Sequence, residues 1–568
     1  MVYNSAVPPH VQFNQRLTSR LTRLAQAGLL VYLALSQIAS LRIGMADNGD
    51  FTRVMTWFTS RPATMKGNWQ ASGTPEYDQR YFKYYIPDWK LDFPLNGVFS
   101  SAVLLWLPGV LLNWLFYSQK VLSMMMVGLF PRLLSLVILW LAFRWINAIY
   151  PPAGLIAKKG SDPVEPAGGS WQTLVITLTL GIPLTLLLGS AAYMAYFNSF
   201  YQETGSFIFL FLFLAALIYT WRVDHVHPGA VLKEGRSFAN SEPMAINEPL
   251  RPYLWPRYLA LAALFGLLTS KVSNIYWVIP SVLLVVPWRK VLARPKAYLP
   301  LYIGVIATLA LAVILMPSRP LNRQAQAYHS LFVGTLTFSD NPLARLQEIG
   351  VGQHMDCVGK DAYNSKGQTC FEQLKDQVSF AKTALVIWHE PAILLRMEQY
   401  VAKFIQRLKT GLGKYAASDP RATEQPKTLI DLWELLKGHL FPSGNAFWAT
   451  IVAFTVLFVY RLRGHRHPGV VQEEGRSFGK TEQTADKEPL RPYQLESFER
   501  QLALIGLVAT LACVVDMNVA VLGDGQREIV KHLFLANVLF DLAAIAAVNL
   551  VVVEWIEWRG RRRVAVVL

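Results

Sequence analysis

Long apolar runs, each bounded by polar or basic residues, recur along the chain, and their lengths set the first expectation. A helix crossing lipid needs about 20 mostly apolar residues, because hydrocarbon offers the backbone no hydrogen-bond partners. Runs of this kind lie at 24–43, 126–144, 172–193, 205–221, 254–271, 274–288, 299–316, 443–460, 500–520 and 533–555. An eleventh, 98–117, carries Pro108-Gly109 at its centre, a pair expected to break a helix. It reads as a re-entrant or interfacial element. The pattern predicts an all-α polytopic membrane protein with about ten transmembrane helices.

Composition changes little in that picture. Of 568 residues 53% are hydrophobic and 16% charged, against about 25% charged in soluble proteins. The net charge of +16 would suggest nucleic acid in a soluble chain. Here Lys and Arg belong to cytoplasmic loops and lipid headgroups. No basic run with interleaved aromatics sits on a soluble segment, so no nucleic-acid partner is expected. The polar, then basic, first residues lack a signal peptide's short apolar core, so the first run is expected to stay in the protein.

Charge also orients the runs. Arg16, Arg20 and Arg23 put residues 1–23 in the cytoplasm, and ten spans return Arg559, Arg561, Arg562 and Arg563 to the same side. Four regions follow. After the N-terminus comes a transmembrane module at 24–316, with an outer loop at 44–97 and a cytoplasmic loop at 223–253. A large outer-face loop occupies 317–442, and the C-terminal helices at 443–568 enclose a cytoplasmic loop at 463–493. The two cytoplasmic loops share a repeat: 227–253 and 467–493 align without gaps and have HPG, EGRSF and EPLRPY in common. It reads either as a stiff connector packing against its copy or as a docking surface for a cytoplasmic partner. Cys357 and Cys370 both fall in the large outer loop, on the side where disulfides form, and are expected to pair.

The candidate chemistry gathers on the outer side. Asp47-Asn48-Gly49-Asp50-Phe51 follows the first run, with Arg53 just beyond. A carboxylate at a membrane exit can deprotonate an acceptor hydroxyl or help hold a divalent cation such as Mg or Mn. The same residues also make a good turn and helix cap. Glu203 precedes the apolar run FIFLFLFLAALIY, where an ionisable group is costly and a functional candidate, or else caps the helix N-terminus. Lys271 interrupts GLLTSKVSNIYWVIP, either snorkelling to the interface or meeting a lipid-borne phosphate. His389 opens an amphipathic helix that also carries Arg396, predicted to lie on the outer leaflet. Arg527, Lys531 and His532 cluster in the last outer loop and could neutralise a phosphate or pyrophosphate.

The order of these motifs resembles the GT-C superfamily of integral-membrane glycosyltransferases. The acidic DNGDF follows the first span, RLLSLVILWLAFRW (Arg132 to Trp145) enters the second, NSFYQETGS precedes the fourth, and GLLTSKVSNIYWVIP runs along the fifth and sixth. The resemblance covers roughly residues 20–320 and is nearest to bacterial members linked to cell-surface glycan assembly. It implies a polyprenyl-phosphate sugar donor, a glycan or lipid-linked acceptor, and inverting transfer on the periplasmic face of the inner membrane. Asp50 or Asp47 would be the base, Glu203 a second acid near donor or acceptor, and Lys271 a phosphate contact. DNGD departs from a tight Asp-Asp or Asp-Glu pair. Two other classes compete: a transporter or flippase of lipid-linked sugars, which would want charged or broken helices near the midplane, and a glycan polymerase or ligase of another membrane fold.

Overall fold

The computed structural model describes residues 9–41, 54, 57–62, 84–87, 99–149, 169–198, 200–226, 251–286, 299–315, 320–405, 432–441, 443–463, 491–526 and 529–567. Asp47, Asp50, Arg53, Arg527 and both copies of the repeated loop up to their final RPY residues lie outside them.

The first helix, α1, spans Pro9–Ser40. A small antiparallel sheet follows, of β1 (Thr59–Pro62), β2 (Tyr84–Pro87) and β3 (Leu122–Ser123) in that order, with α2 (Ala102–Phe116) between β2 and β3. Next come α3 (Leu129–Ile149), α4 (Gly169–Leu188), α5 (Gln202–Val226) and α6 (Arg251–Ser270). A 3-10 turn, Val272–Trp277, leads into α7 (Val278–Val285), and α8 (Leu299–Leu315) follows. The extension holds α9 (Pro320–Tyr328), α10 (Pro342–Glu348), α11 (Ser365–Leu374), α12 (Phe380–His389), α13 (Ala392–Ile405) and α14 (Leu432–Leu440). The chain closes with α15 (Gly444–Arg463), α16 (Arg491–Asp524) and α17 (Phe534–Val567).

The described part of every apolar run is mainly helical, so the protein is an all-α polytopic membrane protein apart from the small sheet. Among the described residues, seven helices are long and apolar enough to cross a membrane. The three remaining runs fall short for legible reasons. Pro256 and Arg257 dilute α6, the sixth run divides into a 3-10 turn and eight-residue α7, and α8 has 17 residues.

One local expectation is overturned. Pro108-Gly109 does not break its helix: α2 runs continuously from Ala102 to Phe116 with Pro108 inside. Its ends are held from outside. Ser101 Oγ donates to the Gly266 carbonyl, and Asn113 Nδ2 donates to the Ser118 and Val121 carbonyls at 2.8 and 2.9 Å. Gly109 lets the backbone of Val127 approach where a Cβ would collide with it. At about 1.5 Å per residue, α2 reaches only about 22 Å, less than the roughly 30 Å of hydrocarbon. It therefore does not count as a full span.

The extension is a compact body of short capped helices. Asn341, Asn364 and Ser379 each accept a backbone N–H at the start of α10, α11 and α12. Cys357 and Cys370 form a disulfide with their Cα atoms 5.7 Å apart. The stripe Ile393, Met397, Val401 and Ile405 is buried, and α13 packs on α15 and α16. The amphipathic helix thus spends its apolar face on the bundle, where the sequence suggested the lipid surface.

Candidate functional site

The charges that matter lie at the end of the bundle that bears the extension. Glu203 sits in the first turn of α5, and Lys271 immediately follows α6. These two helices run side by side, and Gly205 permits the approach: a Cβ there would lie 2.8 Å from that of Ser270. Lys271 Nζ donates to Glu203 Oε1 at 2.9 Å, with side chains 15% and 4% exposed. The lysine does not snorkel; it neutralises a buried carboxylate. Beside the pair, Asn274 Nδ2 donates to Ser206 Oγ, Ser270 Oγ and the Leu267 carbonyl. This network satisfies the frayed end of α6 and fixes the turn that carries Lys271.

A third charged residue of the corner was not singled out from the sequence. Asp516 of α16 is buried, accepts the Ala536 backbone N–H at 2.8 Å, is hydrogen-bonded to Tyr276, and lies within electrostatic reach of both Lys271 and Glu203. Lys531 is also buried, its Nζ 5.4 Å from the centre of the Tyr201 ring, two residues before Glu203. His532 is half-buried beside it. Glu203, Lys271 and Lys531, read separately from three loops, therefore meet at one corner.

That corner also receives Ser40 and Val54, the described residues on either side of the acidic stretch. At one end, Ser40 closes α1. Its carbonyl accepts Asn198 Nδ2 at 2.8 Å, and its hydroxyl accepts Arg132 Nε at 3.1 Å. Arg132 of α3 donates onward to the Gly128 carbonyl at 2.7 Å and to Asn198 Oδ1. At the other end, Val54 and Phe58 are buried in a small cluster with Ala102, Trp106, Val110 and Phe200. The rings of Phe58 and Phe200 stack at 6.1 Å, and Trp106 meets Phe200 edge-on at 5.9 Å. Ser40 and the Val54 and Phe58 side chains, described residues on either side of 42–53, are thus both held against residues 197–203 that lead into Glu203.

A second buried group lies farther down the same bundle. Lys437 of α14 pairs with Asp541 of α17 at 2.8 Å, at 2% and 1% exposure, and donates to Asn537 Oδ1 at 2.9 Å. Tyr193 and Trp433 donate to the other Asp541 oxygen at 2.5 and 2.8 Å. Every strong demand of that carboxylate is met, which makes it a latch for α14 rather than an open site.

The remaining sequence candidates fall elsewhere. His389 Nδ1 is 2.8 Å from Glu348, and Arg396 is shared among Glu390, Asp340 and the Phe338 carbonyl, all within the extension. Burial pushes the Glu390 carboxyl up, but hydrogen bonds from Ser339, the Asp340 backbone and Arg396 outweigh it and hold it below the ordinary glutamate range. Among the described residues, the single grouping of metal-type ligands is Asp356, Cys357 and Cys370, and its two sulfurs are spent in the disulfide.

Residues 17–564 match the model of one protein family, the YfdI N-terminal transmembrane domain. No curated protein and no solved structure matches the chain. A match over nearly the whole length, on a bundle of membrane-length helices, makes this chain a polytopic membrane protein of the YfdI N-terminal transmembrane domain family.

Proposed function

We propose that the protein is an integral-membrane glycosyltransferase of GT-C type. It moves a sugar from a polyprenyl-phosphate donor to a cell-surface glycan or lipid-linked acceptor, with inversion, on the outer face of a bacterial inner membrane. The observation that carries this reading is the convergence at one bundle corner of the buried Glu203–Lys271 pair with Ser40 and Val54, the described residues that flank 42–53 in the chain.

An inverting transfer needs a base for the acceptor hydroxyl and a fixed place for the leaving phosphate. Asp50, or Asp47, takes the hydroxyl proton. The freed oxygen attacks the anomeric carbon, and the bond to the phosphate oxygen breaks with its electron pair going to the phosphate. The bond to Lys271 fixes the orientation of Glu203, which accepts hydrogen bonds from sugar hydroxyls. A divalent cation is compatible with the two aspartates and is not required by this scheme.

The transporter reading draws less support. The buried charges of this corner cluster at helix ends, and those deeper in the bundle are closed by Lys437, Tyr193 and Trp433. The direct test is Asp50→Asn, with Asp47→Asn beside it, in a transfer assay using a single-sugar lipid monophosphate. Transfer is lost in one of them while expression and thermal unfolding stay at wild-type values. Full activity in both variants sinks the assignment of the base. A requirement for an oligosaccharide diphosphate donor favours the polymerase class.

A further inference from the structure

Among the described residues, several cations of this part of the protein are matched to carboxylates. Lys271 is neutralised by Glu203, Lys437 by Asp541, Arg396 by Glu390 and Asp340, and His389 faces Glu348. Arg132 breaks the pattern. It is 2% exposed, and its partners are a hydroxyl, a backbone carbonyl, an amide oxygen and the face of Phe197, 5.8 Å away. Among the described residues no carboxylate pairs with it. A guanidinium carries five N–H groups, and the three hydrogen bonds leave two of them unused. A buried, unneutralised charge is among the costliest groups a protein can hold.

Two further N–H donors close by also lack an acceptor. Trp106 Nε1 and Gln202 Nε2 are buried and make no hydrogen bond among the described residues. Both belong to the same corner. Gln202 is four residues after Asn198, which holds Arg132, and Trp106 touches Phe200 between them. Gly109, on the turn of α2 after Trp106, packs on Val127, next to the Gly128 carbonyl that Arg132 also holds. One cation without an anion and two donors without acceptors describe the same missing partner: an anion with several acceptor oxygens.

We propose that Arg132, with Trp106 and Gln202, forms a buried site for a phosphate group beside the end of α1. Resting on the glycosyltransferase reading, this assigns the phosphate of the lipid-linked donor to Arg132 rather than to Lys271, whose charge Glu203 already uses. Guanidinium suits the task because its planar fork meets two oxygens of one phosphate together, which an ammonium cannot. The three bonds it already makes hold that fork still and tie the phosphate site to the exit of α1, from which the aspartate segment leaves.

The test measures binding without any sugar, so it stands apart from transfer. Full-length protein in nanodiscs is titrated with a short-chain prenyl monophosphate, the matching prenyl alcohol, and inorganic phosphate, with thermal stabilisation as the readout. Wild type is expected to bind the monophosphate about 30-fold or more tighter than the alcohol, and Arg132→Gln to lose that margin. Arg132→Lys keeps the charge, guards against simple misfolding, and recovers part of the margin. Trp106→Phe and Gln202→Leu keep the packing and each weaken binding several-fold. Inorganic phosphate binding as tightly as the prenyl monophosphate, and lost in Arg132→Gln, keeps the site but makes free phosphate its source. Unchanged monophosphate affinity in folded Arg132→Gln and Arg132→Lys overturns the proposal. Phosphate binding intact in a protein that transfers no sugar overturns the glycosyltransferase reading and leaves this one standing.

Discussion

The bundle corner and the extension use the same residue types to opposite ends. In the extension, Arg396, Glu390, Asp340, His389 and Glu348 pair at or near the surface, where water screens them. Such exposed pairs are worth about 0–1 kcal/mol each, and they fasten helices already capped by Asn341, Asn364 and Ser379. In the bundle, Glu203–Lys271 and Lys437–Asp541 are shut away from water. There a pair offers little net stability over apolar packing, and losing one partner is severe. Charge kept in so expensive a place is more informative about function than charge kept where it costs little.

Breaking the deep pair should give the largest effect. Lys437→Met strands the Asp541 carboxylate and is expected to cost about 3–5 kcal/mol, read as a large fall in unfolding temperature in detergent. Adding Asp541→Leu to that variant should restore most of the loss. Full stability in the single variant would contradict the reading of this pair as a latch.

Next comes the disulfide. Cys357 and Cys370 enclose a short loop, 13 residues apart in sequence, and replacing both by Ser should destabilise the extension by about 3 kcal/mol on the chain-entropy account. Sugar transfer per folded molecule should not change. Protease sensitivity should rise between 340 and 390 and nowhere in the bundle.

A smaller effect attaches to Glu390. Its carboxyl is held below the ordinary range in the folded protein, so the unfolded state takes up protons first as pH falls. The stabilisation is complete above the unfolded glutamate value and is lost as pH drops through the depressed folded value. Glu390→Gln should flatten that acid limb, measured as extension unfolding against pH, and an unaltered limb would remove Glu390 from the account. His389→Ala, at the exposed edge of the network, should change stability by less than about 1 kcal/mol.

What was legible in the sequence divides along the same line. Hydropathy located all seven membrane-length helices among the described residues, because the backbone's need for internal hydrogen bonds leaves lipid-buried segments no other form. Side-of-membrane reasoning paired Cys357 with Cys370. Glu203 and Lys271 stood out as single charges in apolar surroundings, but their bond to each other did not, since 68 residues separate them. Asp516, Lys437 and the tether of Ser40 by Arg132 and Asn198 went unassigned for that reason: each partner is distant in sequence. A signal for two of them was present, because Asp516 and Arg132 are ionisable residues inside apolar runs. The continuity of α2 through Pro108 depended on anchors at Gly266, Ser118 and Val121 that local propensity does not see.

The central claim is that the chemistry resides in the buried corner and not in the charged surface of the extension. The most direct measurement compares Glu203→Gln with His389→Ala in single-turnover transfer from a single-sugar lipid monophosphate, each normalised to folded protein. The account predicts that Glu203→Gln loses about a hundredfold or more in rate, on the scale of a lost transition-state contact, while His389→Ala stays within about twofold of wild type. Wild-type rates in Glu203→Gln, or a collapse in His389→Ala alone, would contradict it.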